Sequence, residues 1–128
     1  MTAVRVVDAS ALAALLFGEP EAEAVALQLG DARLVAPGLL GFELANVCLV
    51  KVRRHPAQRD ALLHAFRLRD RLGVAEIAVD HDGVLELAAA TGLTAYDASY
   101  LWLARRLEAG LVTLDRKLLA AAAAAPSR

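Results

Sequence analysis

Apolar positions along this chain fall into two kinds of run. The first kind is short, partly β-branched and closed by a carboxylate or a proline. Val4-Arg5-Val6-Val7 is the earliest example: three of its four residues are valines, and it stops at Asp8. Residues 33–36, 75–79 and 111–114 repeat the type, so four short strands are predicted. The second kind is longer and built from good helix formers. Residues 11–16 follow the first strand, and residues 21–29, ended by Gly30, follow a break at Phe17-Gly18-Glu19-Pro20. Residues 38–52 form an apolar helix closed by Arg53-Arg54-His55-Pro56. Residues 57–72 are amphipathic, with Leu62, Phe66 and Leu72 on one side, Arg59, Arg67, Arg69 and Arg71 on the other, and Gly73 as the stop. Asp80 caps a helix over 81–90, Thr94 opens one running to 108, and Asp115 leads into 116–124. Short strands alternating with helices predict parallel βα units, hence an α/β fold.

A length of 128 residues suits one domain, spanning 1–128, with one core. The 58% apolar content means that the chain either buries much aliphatic surface or keeps an apolar face for a partner. A formal net charge of -1 excludes a global basic field for nucleic acid. The single Cys48 excludes an internal disulfide and suits a reducing compartment. The N-terminus does not read as a signal segment, and no apolar run approaches the roughly twenty residues of a membrane span. A cytoplasmic protein is expected.

Four acids bear on function. Asp8 and Asp115 each follow a strand and precede a helix, and Asp97 stands three residues after Thr94 in a near capping-box pattern. Each is open to a plain reading as a stabilising charge at a helix N-terminus. Glu43 differs, being the only charge in the twelve residues 39–50. A carboxylate there is costly to bury unless paired or bound to a metal. Asn46, three residues on, shares its helical face. If the four converge, their charges need compensation; no lysine or arginine is equally placed, and the three histidines lack ligand-like spacing. A hard divalent cation, Mg²⁺ or Mn²⁺, meets that need with oxygen ligands.

The segments Val7-Asp8-Ala9-Ser10, Glu43 in its apolar helix, Ala95-Tyr96-Asp97-Ala98-Ser99-Tyr100 and Leu111-Val112-Thr113-Leu114-Asp115-Arg116 resemble, in order, the PIN domain, and more narrowly the VapC toxins of bacterial toxin–antitoxin pairs. The resemblance implies a three-layer fold with a central short parallel sheet flanked by helices. It implies a Mg²⁺- or Mn²⁺-dependent ribonuclease, held inactive by a VapB-like antitoxin and forming a homodimer. Carried over by position, Asp8, Glu43, Asp97 and Asp115 form the acidic cluster, with Ser10, Asn46 and Thr113 as polar support. Asp8, Asp97 and Asp115 are expected to hold the metal, and Glu43 either to join them or to orient the attacking water. The basic groups Lys51, Arg53 and Arg54, or Arg116 and Lys117, are candidate RNA contacts, against the plain alternative of solvated helix ends. Cys48, Tyr100 and Trp102 are read as packing, and Asp80, His81 and Asp82 as a solvated helix start. The family commonly adds a strand after the last helix, whereas this sequence closes with an alanine-rich tail and Pro126-Ser127-Arg128, so a sheet one strand short, or a trimmed terminus, is expected. Two rivals stand beside this reading: a binding module that keeps the fold without catalysis, and another Mg²⁺-dependent phosphoryl enzyme. An aspartate-nucleophile phosphatase would carry an acid where Ser10 stands.

Overall fold

A computed structural model describes residues 2–124. Four strands, β1 (Val4–Val7), β2 (Arg33–Ala36), β3 (Ala75–Glu76) and β4 (Gly110–Val112), form one sheet in the order β3-β2-β1-β4. Every pairing is parallel. Between them run α1 (Ala9–Leu16), α2 (Ala22–Leu29), α3 (Leu40–Arg54), α4 (Arg59–Arg67), α5 (His81–Thr91) and α6 (Ala95–Leu107), and α7 (Arg116–Ala123) follows β4. Right-handed crossovers place α1 to α4 on one face as the chain steps from β1 out to β3. The return from β3 across to β4 places α5 and α6 on the other face, giving the three-layer α/β architecture expected.

β1 is one of the two interior strands, and its Val6 and Val7 are wholly buried. Leu12 from α1 and Tyr100, Leu101 and Leu103 from α6 belong to the same core. Full burial of side chains of this size contributes about 1.5–3 kcal/mol each. The valine burst therefore holds the middle of the molecule.

Three elements differ from expectation. The third strand is two residues long rather than five, because it lies at the sheet edge and meets only Val35 and Ala36 of β2. One further bond, from the Ile77 amide to the Ala36 carbonyl at 2.8 Å, ends the pairing. The fourth strand ends at Val112 instead of 114. Beyond it the amides of Leu114 and Asp115 donate to the hydroxyls of Ser10 and Thr113, not to a strand. Residues 57–72 do not form one helix: 3₁₀ turns at Pro56–Gln58 and Leu68–Leu72 bracket α4, and none of the three has a fully buried residue. With so little core contact, the tighter 3₁₀ turns at the ends of this segment are tolerated. α7 ends at Ala123, and Pro126-Ser127-Arg128 lie outside the described residues. Among the described residues no helix is long and apolar enough to cross a membrane.

Candidate active site

The chain leaves β1 toward one neighbour, β2, and later returns to the other side as β4. Such a reversal opens a crevice at the carboxyl ends of the strands, and β1 and β4 deliver Asp8 and Thr113 to it. Asp8 is the N-cap of α1: its Oδ1 accepts the Ala11 amide at 3.0 Å and the Ser10 hydroxyl at 2.7 Å. Its Oδ2 accepts the Thr113 hydroxyl in a short bond. Thr113 Oγ1 in turn accepts the Asp115 amide at 3.0 Å, and Ser10 Oγ accepts the Leu114 amide at 2.9 Å. Two hydroxyls thus stitch the end of β1 to the end of β4 and immobilise a carboxylate that is 5% exposed. Asp115 caps α7, its Oδ1 accepting the Leu118 amide at 2.9 Å.

The cap reading and the site reading of Asp8 and Asp115 are therefore compatible: the cap on Asp115 occupies Oδ1 and leaves Oδ2, and Asp8, which accepts two bonds at Oδ1 and one at Oδ2, keeps a lone pair of Oδ2 for a further partner. Asp97 is not the cap of its helix. Thr94 is, with its hydroxyl accepting the Asp97 amide at 3.1 Å.

Glu43 lies in the first turn of α3, where the helix dipole favours a negative charge. Its Oε1 accepts the Tyr100 hydroxyl at 2.6 Å, across the gap between α3 and α6. A cleft of about 580 Å³ collects Asp8, Glu43, Asp97, Asp115, Ser10 and Asn46 on one wall system. Asn46 lines it, while Thr113 sits behind, bonded to Asp8.

Electrostatics register the convergence. Burial pushes the Asp8 carboxyl above the ordinary range, the hydroxyls of Thr113 and Ser10 and the Ala11 amide pull it back, and Asp115 raises it again. Glu43 is raised by burial, lowered by the Tyr100 hydroxyl, and raised by the charges of Asp97 and Asp8. Asp97 is raised by burial and then by Asp115 and Asp8. Burial, followed by the bond to Glu43, drives the Tyr100 phenol far upward, so it remains a donor.

Among the described residues no three His, Cys, Asp or Glu side chains form a ready-made metal-holding group. The donors lining the cleft still suit a hard cation: four carboxylates, an amide and a hydroxyl, all oxygen, with mutual repulsion that a cation would relieve. Mg²⁺ keeps several waters and takes only one or two carboxylates directly, so a spread ring of acids fits a hydrated ion better than a closed cage.

The basic residues stand outside the cleft lining, with Lys117 the one that acts on a cleft acid. Among the described residues no Lys or Arg lines the cleft. Lys51 pairs with Glu19 at 2.6 Å and lies over the Phe17 ring. Arg53 and Arg54 end α3, at ~1.5 Å rise per residue about 15–17 Å along the axis from Glu43. Arg116 and Lys117 open α7 as exposed residues. Lys117 donates to the Gly92 carbonyl at 2.9 Å and is close enough to Asp97 to lower its pKa.

Tyr100 is the residue that reading the sequence assigned to packing alone. At 1% exposed it does pack, yet its hydroxyl also holds Glu43. The available signal was its spacing, three residues after Asp97 and hence on the same helical face. Phe42, Leu39 and Tyr96, which line the cleft mouth, carried no sequence signal of that role.

Comparison with known proteins supplies a family context. Residues 5–124 match the PIN domain family. The chain is similar to ribonuclease VapC3 of Pyrobaculum aerophilum, with 34% identity over 121 residues, covering 88% of this chain and 90% of that protein. It is also similar to a crystal structure of a protein from Pyrobaculum aerophilum, with a TM-score of 0.77 and 29% identity over 98% of this chain and 90% of the other.

Proposed function

This chain belongs to the PIN domain family, and from that membership we propose that it is a divalent-metal-dependent endoribonuclease, the toxin half of a toxin–antitoxin pair. The observation that carries the proposal is the convergence of Asp8, Glu43, Asp97 and Asp115, from four separate elements, on one cleft at the carboxyl edge of a parallel sheet. In this reading residues 1–128 act as one domain.

Asp8, Asp97 and Asp115, with Glu43 beside them, would hold Mg²⁺ or Mn²⁺. Such an ion supplies an activated water and neutralises charge on a phosphoryl oxygen. Asp8, fixed by Ser10, Thr113 and the Ala11 amide, gives the site an immobile reference point. Asp97 enters from the first turn of α6 and Asp115 from the start of α7. Glu43 has Oε1 occupied by Tyr100, so Oε2 is the atom left to accept a proton from, or orient, a water in the cleft. Preorganised carboxylates of this kind cost little reorganisation at the moment of reaction.

The proposed partners are RNA, a VapB-like antitoxin and a second copy of the chain, all in the cytoplasm. Exposed Leu49 and Val50 on α3, next to a cavity of about 400 Å³ between α3 and α4 lined by Cys48, Val52, Leu63 and Phe66, suit an apolar helix laid in a groove. Purified protein incubated with mixed RNA is expected to cleave it with Mn²⁺ or Mg²⁺ and to stop with chelator. Asp97→Asn is expected to abolish the cleavage while keeping the fold. Undiminished cleavage by that variant, or in chelator, would overturn the proposal.

A further inference from the structure

The acidic cleft presents a physical difficulty for a polyanion. Its walls carry four carboxylates and, among the described residues, no Lys or Arg. A bound cation offsets charge at one phosphate but leaves the protein's own side chains with little to offer the rest of the backbone. What the cleft mouth does offer is aromatic surface. Phe42 and Tyr96 both line it and are 84% and 67% exposed, unusual for side chains of their type.

Tyr96 and Leu39 are also shared with a second cavity of about 570 Å³, so the two spaces adjoin. The second cavity is mainly apolar, walled by Val79, Leu85 and Ala95, with the polar side chains of His81 and Ser99 joining Tyr96 in its lining. The Ser99 hydroxyl donates to the Tyr96 carbonyl at 2.6 Å, which ties the turn carrying Tyr96 to the helix and leaves the oxygen free to accept. An apolar chamber with a few polar edges is the form of a small-molecule-sized binding site.

Resting on the ribonuclease reading, we propose that this second cavity is a nucleobase subsite: an unpaired base next to the phosphate held at the acids stacks on Tyr96 and enters the cavity, with Phe42 stacking a neighbouring base across the cleft mouth. A base in a duplex remains stacked in its helix and does not reach the cavity. Recognition through the faces of bases adds to phosphate contacts that the acidic walls disfavour, and stacking tolerates any base because each has a π face.

The test uses Tyr96→Ala, Phe42→Ala and Tyr96→Phe. All three alter exposed side chains, so the fold is expected to survive. Fluorescence anisotropy of a labelled single-stranded RNA decamer is measured on the Asp97→Asn protein with and without each change, and Mn²⁺-supported cleavage is followed in parallel on proteins that retain Asp97. Loss of one stacked base corresponds to roughly a 5- to 150-fold weaker binding. Tyr96→Ala and Phe42→Ala are expected to weaken binding within that range, and Tyr96→Phe, which keeps the ring, to bind as the parent does. Decamers with single abasic positions should show one position at which Tyr96→Ala no longer matters.

Equal binding by Tyr96→Ala and its parent would overturn the inference. So would sedimentation showing that Tyr96→Ala or Phe42→Ala turns a dimer into a monomer, since the face would then be a contact between proteins. The binding arm does not depend on catalysis. Absence of any cleavage by the wild type would count against the nuclease reading, while the anisotropy result still decides the subsite.

Discussion

Thr113→Val removes one hydroxyl and keeps the shape of the side chain, so its cost measures the network that joins β1 to β4. Two bonds are lost: the donation to Asp8 Oδ2 and the acceptance of the Asp115 amide at 3.0 Å. A hydrogen bond to a charged group contributes about 1.5–3 kcal/mol, and a buried N–H left unpaired costs about 1–3 kcal/mol. The buried methyl of valine offsets some of this, so a net loss of about 2–4 kcal/mol is expected. For a domain of this size ~3–6 °C accompanies each kcal/mol, which places the expected fall in Tm on the order of 10 °C. The assay is thermal and urea unfolding in chelator, followed by circular dichroism. Thr113→Ser, which retains the hydroxyl, should lose less than about 1 kcal/mol, the size of a small buried methyl deletion. Because the lost bond favours the charged form of Asp8, the difference between Thr113→Val and wild type should shrink at acid pH, where Asp8 is protonated. A Thr113→Val protein within about 0.5 kcal/mol of wild type, the ordinary scatter of surface changes, would refute the idea that this hydroxyl anchors Asp8.

Other expected outcomes concern the same cleft. Tyr100→Phe leaves Glu43 without its donor and should lower stability in urea by about 1–2 kcal/mol, and it should also lower kcat by freeing the Glu43 carboxylate to move; unchanged values of both would refute the positioning role. In metal-free protein the carboxyls of Asp8, Glu43 and Asp97 are raised above the 3.8 and 4.5 of free Asp and Glu, so between those values and the folded pKa values the folded state binds more protons than the unfolded chain. Stability should therefore fall as pH rises through that window, read as a declining urea midpoint from about pH 4 upward. Asp97→Asn should flatten that decline by removing one charge from the cluster. A cation that binds only the folded form stabilises by about 2.7 kcal/mol at a hundredfold excess over Kd, so Mn²⁺ should raise Tm by several degrees and raise that of Asp97→Asn by less. An identical shift in both proteins would remove Asp97 from the metal site.

Much of the local structure was legible in the residues themselves. Three valines in four positions, a carboxylate stop and an alanine–leucine run define β1 and α1, because strand and helix preferences there agree with burial. Asp80, Thr94 and Asp115 cap their helices as their positions suggested, each side chain accepting an amide three residues on. Local chemistry of this range is written in neighbouring residues.

What the tertiary structure decided is everything that depends on partners distant along the chain. The third strand shrank because an edge position offers only one neighbour, and periodicity carries no information about edges. The fourth ended early because Ser10, more than a hundred residues away, takes the Leu114 amide. Tyr100 looked like a packing residue until α3 brought Glu43 to its hydroxyl across 57 positions. The same assembly set Lys51 against Glu19 and left the cleft, among the described residues, with no Lys or Arg in its lining. Residue types determined which side chains carry charge and which segments form helices or strands. Only the reversal of strand order at β1, which opens a crevice between β1 and β4, brought the four carboxylates to one place, because convergence is a property of crossover topology and not of any short run of sequence.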